Sequence, residues 1–300
     1  MFAPGSVGYR HLFGVAYRVL GSVHDAEDAV QEGFARWQAL TPAERDAVRE
    51  PLAWLTRVVG RVCLDVLGSA RSRREAGAGI WLPEPLIGSV GAVAHGSAAP
   101  VDPADAVSMD ESVTLALLVA MEQLTPAERV SLILHDVFGV PFAEVAEVVA
   151  RTPEACRQLA TSARRRLRSG PRETVAGPAR DAVVTAFARA CAAGDLEGLV
   201  AVLDPDVVSR ADGGVHIRAA RRPVVGAAAV AQYLLGVTAR QQRHSADLRP
   251  SVEPVNGRTG VVVRDRDAVV AVVDLAVGDD GRIREIAMVV DPDKLTQTEA

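Results

Sequence analysis

The chain has 300 residues, 49% of them hydrophobic, which is enough for two or three domains with ordinary buried cores. Its formal net charge is −5, so any contact with nucleic acid must come from a local basic surface and not from the whole chain. The cysteines, Cys63, Cys156 and Cys191, are far apart and lack metal-ligand spacing. We therefore expect no metal site, no cofactor and no disulfide framework.

The first residues of the chain and its hydropathy indicate the cellular compartment that we expect for the protein. The segment MFAPGSVGYRHLFG lacks the basic start and apolar core of a signal peptide. No apolar run approaches the roughly 20 residues of a membrane span. We expect a cytoplasmic protein that makes no membrane contact. Lys294 is the only lysine, so the other strongly basic side chains are Arg, whose planar guanidinium suits phosphates and bases.

Residues 1–74 are predicted to form a first all-α domain. Apolar residues recur at helical spacing over residues 8–20, 24–40 and 51–74, which predicts three helices. Acidic residues occupy the first turn of the second helix, where the helix dipole favours them. The third helix contains five Arg and one Asp. This domain therefore has an acidic helix surface and a separate basic one.

Residues 75–109 are predicted to be a linker, because Gly, Pro and Ala dominate and no periodicity is sustained. One apolar island interrupts it. A Trp-Leu pair stiffened by prolines is expected to pack against another part of the protein and not to lie in solvent. The island consists of Trp81, Leu82, Pro83, Glu84 and Pro85.

Residues 110–170 are predicted to form a second all-α domain with a helix-turn-helix motif. Residues 141–150 are one amphipathic helix. A second helix begins at Thr152, a capping residue, and Pro153, which suits the first helical position. Between residues 151 and 168 there are six Arg and one acidic residue. A short helix, a tight turn and a basic second helix are typical of a major-groove reader.

The outer face of this second helix supplies the candidate DNA contacts. We expect Arg157 and Gln158 to meet base edges, since Arg can grip guanine and Gln can grip adenine through paired hydrogen bonds. The alternative is a solvated basic face on an ordinary helix-loop-helix. The remaining candidates are Thr161, Arg164, Arg165 and Arg168. The arginines among them, near the C-terminal end of the helix, would neutralise phosphates.

Residues 179–300 follow a short linker at 171–178 and are predicted to form an α+β domain. One amphipathic helix covers 179–193 and another lies near 226–240. Helices followed by a meander of β-branched segments suggest a curved sheet that forms a cone. Acidic and basic residues are nearly balanced here, so DNA binding is not expected of this domain. The strand-like segments are 206–210, 214–222, 259–264, 267–277 and 283–290.

Long segments of the two helical domains resemble the bacterial sigma factors of the extracytoplasmic-function type. In that family, the region-two helix that docks on the clamp helices of the RNA polymerase β′ subunit is similar to HDAEDAVQEGFARWQAL. The part that melts and holds the promoter minus-ten element is similar to PLAWLTRVVGRVCLDVLGSARSRRE. Region four, which reads the minus-thirty-five element, is similar to LTPAERVSLILHDVFGVPFAEVAEVVARTPEACRQLATSARRRL.

The resemblance implies core RNA polymerase, through its β′ clamp helices and β flap, and promoter DNA as partners. It places core-polymerase binding on a polar helix face formed by Asp25, Asp28, Gln31 and Glu32. The alternative interpretation is that this face is only a solvated helix surface. The resemblance places minus-ten contacts on the basic helix, where Trp54 could instead be core. These candidates are Trp54, Arg57, Arg61, Arg71, Arg73 and Arg74. Many members have Asn where Arg61 stands, so the minus-ten base that is read stays open.

Residues 179–297 resemble the SnoaL-like branch of the NTF2-like fold, a cone with a pocket. One sigma subgroup has this extension with a WLPEP-type linker motif, a D-G-G segment and a terminal N-P-D-K-L motif. There the extension is thought to replace a separate anti-sigma factor by regulating the sigma core in cis, so we expect no anti-sigma partner. The island at 81–85 matches the first motif. The others appear as Asp212, Gly213 and Gly214, and as Asp291, Pro292, Asp293, Lys294 and Leu295, with Asp291 replacing Asn.

Three alternatives remain. The C-terminal domain could be an enzyme of the polyketide-cyclase or isomerase kind, which needs an acid/base pair in an apolar cavity. His216, Asp212, Asp274 and His244 are available, but their spacing pairs none of them, and we predict no catalytic residue and no enzyme. The same cavity could instead sense a small molecule. Finally, the chain could be a helix-turn-helix regulator that binds DNA without polymerase.

Overall fold

The structure, a computed structural model, divides the described part of the chain into two compact units. The first unit holds the N-terminal helices, and the second holds the α+β domain together with the apolar island of the linker. Two all-α parts followed by an α+β cone agree with the predicted fold class. The described residues are 6–75, 79–88, 115–168 and 177–296, so most of the predicted linkers at 75–109 and 171–178 lies outside them.

The first four helices have clear local signals. Gly21 ends the first in the left-handed region, at φ 70°, and Ser22 caps the second by accepting from the Asp25 N–H at 3.2 Å. The third helix was not predicted, although Thr41 and Glu44 form a reciprocal capping box there. The bounds are α1 (Val7–Leu20), α2 (Val23–Ala39), α3 (Pro42–Ala47) and α4 (Pro51–Glu75).

The helix-turn-helix is present as predicted. The Thr152 hydroxyl accepts the Ala155 N–H at 3.2 Å, and Ala150 makes the turn before it with φ 54°. Cys156, Ala160 and Ala163 are fully buried, which places the arginines on the opposite face. The elements are α5 (Leu115–Met121), α6 (Pro126–Leu132), a π-helical turn (Ile133–Val137), α7 (Phe142–Val149) and α8 (Pro153–Arg168).

The C-terminal unit is a six-stranded sheet packed on three helices. Numbered in chain order, its strands lie side by side as 2-1-6-5-4-3, with the first and sixth parallel and the other neighbours antiparallel. Phe187, Leu199, Val230 and Ile286 lie in the core between sheet and helices. The elements are α9 (Pro178–Ala193), α10 (Leu196–Val202), β1 (Leu203–Asp212), β2 (Val224–Val225), α11 (Ala227–His244), β3 (Leu248–Val255), β4 (Arg258–Asp265), β5 (Ala268–Val277), β6 (Ile283–Val289) and α12 (Pro292–Leu295).

Three strand assignments differ from the prediction, and one of them is β2, a strand of only two residues that was not predicted. The predicted strand at 214–222 is wrong, because Gly214 takes φ 58° and the Ile217 N–H turns back to the Gly213 carbonyl at 2.9 Å. The edge strand β3 was missed because Pro250 and Pro254 interrupt its pattern. Proline is tolerated on an edge strand, where one side of the backbone has no partner strand.

Every helix of the described residues is too short or too polar to cross a membrane.

Candidate functional site: the basic helices and the linker-binding surface

The outer face of α8 presents the predicted base-reading residues to solvent. Arg157, Gln158, Thr161 and Arg165 are exposed, and the Thr161 hydroxyl donates to the Arg157 carbonyl at 2.8 Å. The side chain of Arg168 lies outside the described residues. The face that the sequence assigned to DNA is therefore open along the described part of α8.

Arg164 differs from its neighbours on α8. Its guanidinium binds both oxygens of Asp136, with Nε to Oδ2 at 2.7 Å and Nη2 to Oδ1 at 2.6 Å. This paired hydrogen bond raises the pKa of Arg164 and braces α8 against the π-helical turn. A phosphate would have to displace Asp136, so the geometry gives Arg164 a structural role in this state.

The basic helix α4 has its predicted DNA contacts partly covered. Arg57 Nη1 lies 2.7 Å from Glu144 Oε2, and Arg61 Nη1 donates to the Val148 carbonyl at 2.9 Å. Both partners belong to α7, the first helix of the helix-turn-helix. Gly60 allows close packing at this contact, since a Cβ there would lie 3.4 Å from Val148 Cγ1 of α7 and 3.1 Å from Leu134 Cδ1 of the π-helical turn. In this state α7 occupies the surface that is predicted to hold the minus-ten element.

Other minus-ten candidates on α4 have different surroundings. Trp54 is half-buried and meets Trp37 edge-on, with ring centroids 5.3 Å apart. This pair closes one end of the packing between α2 and α4, and it leaves part of Trp54 accessible. The side chains of Arg71, Arg73 and Arg74, near the end of α4, lie outside the described residues.

A half-buried histidine, His11, lies beside the contact between α4 and the helix-turn-helix. The His11 ring donates from Nε2 to the Thr56 hydroxyl at 3.2 Å, since that hydroxyl itself donates to the Leu52 carbonyl at 2.8 Å. Its ring also meets Phe138 edge-on at 5.1 Å. Burial, and then the charge of Arg18, lower the pKa of His11.

This histidine should make the N-terminal unit sensitive to acid. Because the pKa of His11 is lower in the folded chain than the ordinary 6.5, the unfolded chain binds the extra proton first as pH falls. Stability should therefore be lost from about pH 6.5 downwards, with a slope of at most about 1.4 kcal/mol per pH unit for one proton. Thermal unfolding between pH 7.5 and 5 measures this. His11→Asn should flatten the curve, and an identical pH dependence in the variant would contradict the assignment.

The predicted core-polymerase face lies on α2. Asp28, Gln31 and Glu32 are exposed and Asp25 is half-buried, so all four can be reached from solvent. Glu32 accepts from Arg36 at 2.8 Å, one turn further along the helix. Exposed pairs of this kind contribute little to stability, so the face is free to exchange them for a basic partner.

The linker island is bound by the C-terminal unit through Asp212. The Leu82 N–H donates to Asp212 Oδ2 at 2.8 Å, and Lys294 Nζ lies 2.6 Å from the same oxygen. Oδ1 accepts the Gly214 N–H at 2.9 Å, in the tight turn that was expected for a D-G-G segment. One carboxylate thus joins three motifs that are up to 212 residues apart, from Leu82 to Lys294.

The two glycines of this site are required by close packing. A Cβ on Gly213 would lie 2.1 Å from the Ile217 carbonyl oxygen, and one on Gly214 would lie 2.3 Å from the Asp291 carboxyl group. Asp291 in turn caps α12 by accepting the Asp293 N–H at 3.2 Å. The parallel pairing of β1 with β6 sets the ends of these strands side by side, which brings both motifs together.

Lys294 is the cation of the site. Its Nζ donates to the Leu82 carbonyl at 2.5 Å and lies 4.3 Å from the centroid of the Trp81 ring. Burial lowers the pKa of Lys294, against the opposing effect of the Asp212 carboxylate. Only 11% of the Lys294 side chain and 4% of the Asp212 side chain are exposed. Because this ion pair is buried, removing one partner would leave an uncompensated buried charge, at a high cost in free energy.

A second contact holds the other end of the island, and the sequence had not indicated it. Leu86 and Asn256 exchange hydrogen bonds, with Leu86 N to Oδ1 at 3.1 Å and Asn256 N to the Leu86 carbonyl at 2.7 Å. The Gly88 N–H donates to the Pro254 carbonyl at 2.7 Å, and Ile87 bridges Val255. Leu82, Pro83, Glu84, Pro85 and Leu86 are all buried, as expected for an island that packs against another element.

The residues weighed for catalysis each have a separate partner. Asp274 is buried against Arg180, with Nη2 to Oδ1 at 3.1 Å, and Asp212 holds the linker. His216 is exposed near Asp293 at 3.2 Å, and His244 contacts the carbonyl of residue 240 in its own helix. These contacts pair no two of the four in a common site.

The sequence and the structure are similar to known proteins along nearly their whole length. Family profiles match Sigma-70 region 2 over residues 8–73 and Sigma-70, region 4 over residues 114–167. The ECF RNA polymerase sigma factor SigJ of Mycobacterium tuberculosis is 38% identical over 298 residues, 96% of this chain and 90% of that protein. The probable ECF RNA polymerase sigma factor SigI of the same species is 36% identical over 97% of this chain and 95% of that one. The crystal structure of M. tuberculosis SigJ matches with a TM-score of 0.73 and 35% identity, covering 97% of each chain.

Proposed function

Because the chain belongs to the extracytoplasmic-function family of RNA polymerase sigma factors, we propose that its C-terminal domain regulates the sigma regions in cis by holding their linker. The activity of the family is promoter-specific initiation of transcription, and this chain carries regions two and four for it. The observation that carries the proposal is the carboxylate of Asp212. It binds the linker backbone at Leu82 and the terminal Lys294 together.

The proposed mechanism starts from a closed state. Region two must hold the minus-ten element while region four reads the minus-thirty-five element, and the linker sets how far apart they can move. Attachment of residues 81–88 to the C-terminal domain therefore shortens the part of the linker that is free to move. Arg57 and Arg61 are at the same time engaged by α7. Release of the linker and of these arginines is then the step that makes the factor competent.

The partners in this proposal are core RNA polymerase, bound by the acidic face of α2 and by region four, and promoter DNA, bound by the basic helices. The acidic face of α2 binds the clamp helices of the β′ subunit, region four engages the β flap, and α8 enters the major groove at the minus-thirty-five element. Arg157 and Gln158 contact bases there, while Arg165 and Arg168 contact phosphates. On α4, Trp54, Arg57, Arg61, Arg71, Arg73 and Arg74 serve the minus-ten element.

The C-terminal domain takes the place of a separate anti-sigma factor in this proposal, and the protein acts in the cytoplasm. It has a regulatory and not a catalytic role, which the separate partners of Asp212, Asp274, His216 and His244 support. A small ligand of the cone remains a second candidate for the signal, and a heat-stability shift on binding would reveal it.

The proposal is tested by reconstituted transcription with core RNA polymerase on a promoter from the same genome. The full chain should give specific transcripts only when core is present. Reversing two exposed acidic side chains, Asp28→Arg with Glu32→Arg, should weaken core binding by about tenfold or more, because like charges then face the basic clamp helices. Reversal of Asp46, an acid outside this face, is the matched control. Unchanged core affinity in the double variant would exclude the α2 face, and core-independent DNA binding without transcription would favour a repressor.

A further inference from the structure

The first residue of α7 supports the candidate base-reading arginine of α8. The Phe142 ring stacks on the His135 ring, with centroids 3.7 Å apart and planes 27° from parallel. The guanidinium carbon of Arg157 lies over the same Phe142 ring, 5.6 Å from its centroid. A cation over an aromatic face is attracted by the quadrupole of the ring, whose face carries partial negative charge. Phe142 therefore offers Arg157 a flat surface of defined position.

The His135 ring, which supports Phe142 in this stack, is held in place by the backbone. His135 Nδ1 lies 2.9 Å from the Val140 carbonyl oxygen, and a carbonyl can only accept, so Nδ1 carries the proton. The same loop is closed by hydrogen bonds from the Gly139 N–H to the His135 carbonyl and from the Val140 N–H to the Leu134 carbonyl. These bonds follow the π-helical turn (Ile133–Val137), an irregularity of the kind often found at functional sites.

Arg157 is held on a second side and still reaches solvent. Its Nη1 lies 3.3 Å from Glu154 Oε1, one turn earlier on α8, while 57% of the side chain is exposed. An exposed arginine that is free to rotate loses conformational entropy when it binds a base edge. A guanidinium that already rests on a ring and beside a carboxylate has lost part of that freedom. Less conformational entropy is then left to lose when the DNA arrives.

We infer that Phe142, backed by His135, is a positioning residue that sets the preference of Arg157 for guanine in the minus-thirty-five element. The inference rests on the proposed function, in which α8 enters the major groove. Guanine is the base concerned because its O6 and N7 atoms accept the two parallel N–H bonds of one guanidinium. Phe142 itself makes no base contact in this arrangement. Its effect passes entirely through Arg157.

The test is transcription by the full chain with core RNA polymerase on promoters whose minus-thirty-five bases are varied one at a time. Arg157→Ala should abolish the preference for guanine at one position, which identifies the base that Arg157 reads. Phe142→Leu, which keeps an apolar side chain but removes the ring face, should reduce that preference three- to tenfold and leave the other positions unchanged. His135→Leu should act at the same position with a smaller effect, and Phe142→Trp should retain the preference.

A double-mutant comparison separates positioning from simple packing. In the Arg157→Ala background, Phe142→Leu should cause no further change in base preference, because the group that it positions is gone. Phe138→Leu is the matched control, since Phe138 is an aromatic residue of the same region whose ring faces Arg18 at 5.5 Å instead. It should leave the guanine preference intact.

A uniform loss of output on every promoter with Phe142→Leu would overturn the inference. An equal effect of Phe142→Leu with and without Arg157 would overturn it too. If Arg157→Ala changes no position while core-dependent transcription persists, the base-reading role of Arg157 fails and the inference fails with it. Absence of core-dependent transcription from the unaltered chain would instead refute the proposed function, a result that is distinguishable from the others.

Discussion

Replacing Lys294 by Met should raise promoter-specific transcription by the full chain about tenfold or more. The substitution keeps an unbranched side chain but removes the charge that binds Asp212, the Leu82 carbonyl and the Trp81 ring. Breaking a buried ion pair by removing one partner costs about 3–5 kcal/mol, because the remaining charge is left buried and uncompensated. Each 1.4 kcal/mol changes a population ratio tenfold, so even a fraction of this cost releases the linker.

The release can be measured separately from the transcription. Hydrogen exchange at the Leu82 amide, which donates to Asp212, should accelerate strongly in Lys294→Met. Exchange at the Leu86 amide, which donates to Asn256 at the second contact, should accelerate less. Arg266→Met is the matched control, since Arg266 forms an exposed pair with Asp247 in the same unit. Faster Leu82 exchange with unchanged transcription would show that linker attachment does not restrain the factor, and a fall in output would give the tail an activating role.

Glu144→Arg should open the contact between α4 and α7 in the free protein. Arg57 and Glu144 are each about 30% exposed, and their hydrogen bond joins two charged groups at 2.7 Å. A bond of this kind contributes about 1.5–3 kcal/mol, and reversing one charge adds repulsion to its loss. We expect the ratio of open to closed molecules to rise about tenfold or more. Arg61 would be exposed with Arg57, since it donates to the α7 backbone at Val148.

The opening can be followed by energy transfer between dyes at two exposed positions, Gln38→Cys on α2 and Arg165→Cys on α8. Transfer should fall in Glu144→Arg and recover when Arg57→Glu is added, because the swap restores opposite charges. Glu147→Arg is the control, as Glu147 Oε2 lies 3.9 Å from Arg57 Nε and is largely exposed, so its effect should be smaller. Unchanged transfer in Glu144→Arg would mean that this ion pair does not hold the closed arrangement.

The helix-turn-helix and the helices that bear the candidate site residues could be predicted from the sequence because their signals are local. Helical periodicity placed α2, α4 and α8 close to their observed bounds, and a cap at Thr152 marked the start of α8. The exposure of Arg157 and Gln158 follows from the buried spacing of Cys156, Ala160 and Ala163 on the same helix. Such features depend on residues within a few turns of one another.

Which partners the candidate DNA-binding arginines contact depends on the tertiary structure. That Arg57 meets Glu144 follows from packing between helices 87 residues apart, and no local pattern encodes that pairing. Arg164 belonged to the same predicted basic face as Arg157, yet Asp136 binds it through a contact across 28 residues.

The linker motifs show the same division. The local composition was enough to predict that the apolar island at 81–85 needs a partner, because a Trp-Leu pair in water is unfavourable. The identity of that partner follows from contacts between residues far apart in the chain. The parallel pairing of β1 and β6 brings Asp212 beside Asp291 and Lys294, since strands that run the same way end at the same edge of the sheet. The second contact at Asn256 required β3, an edge strand whose two prolines hid it from a periodicity argument.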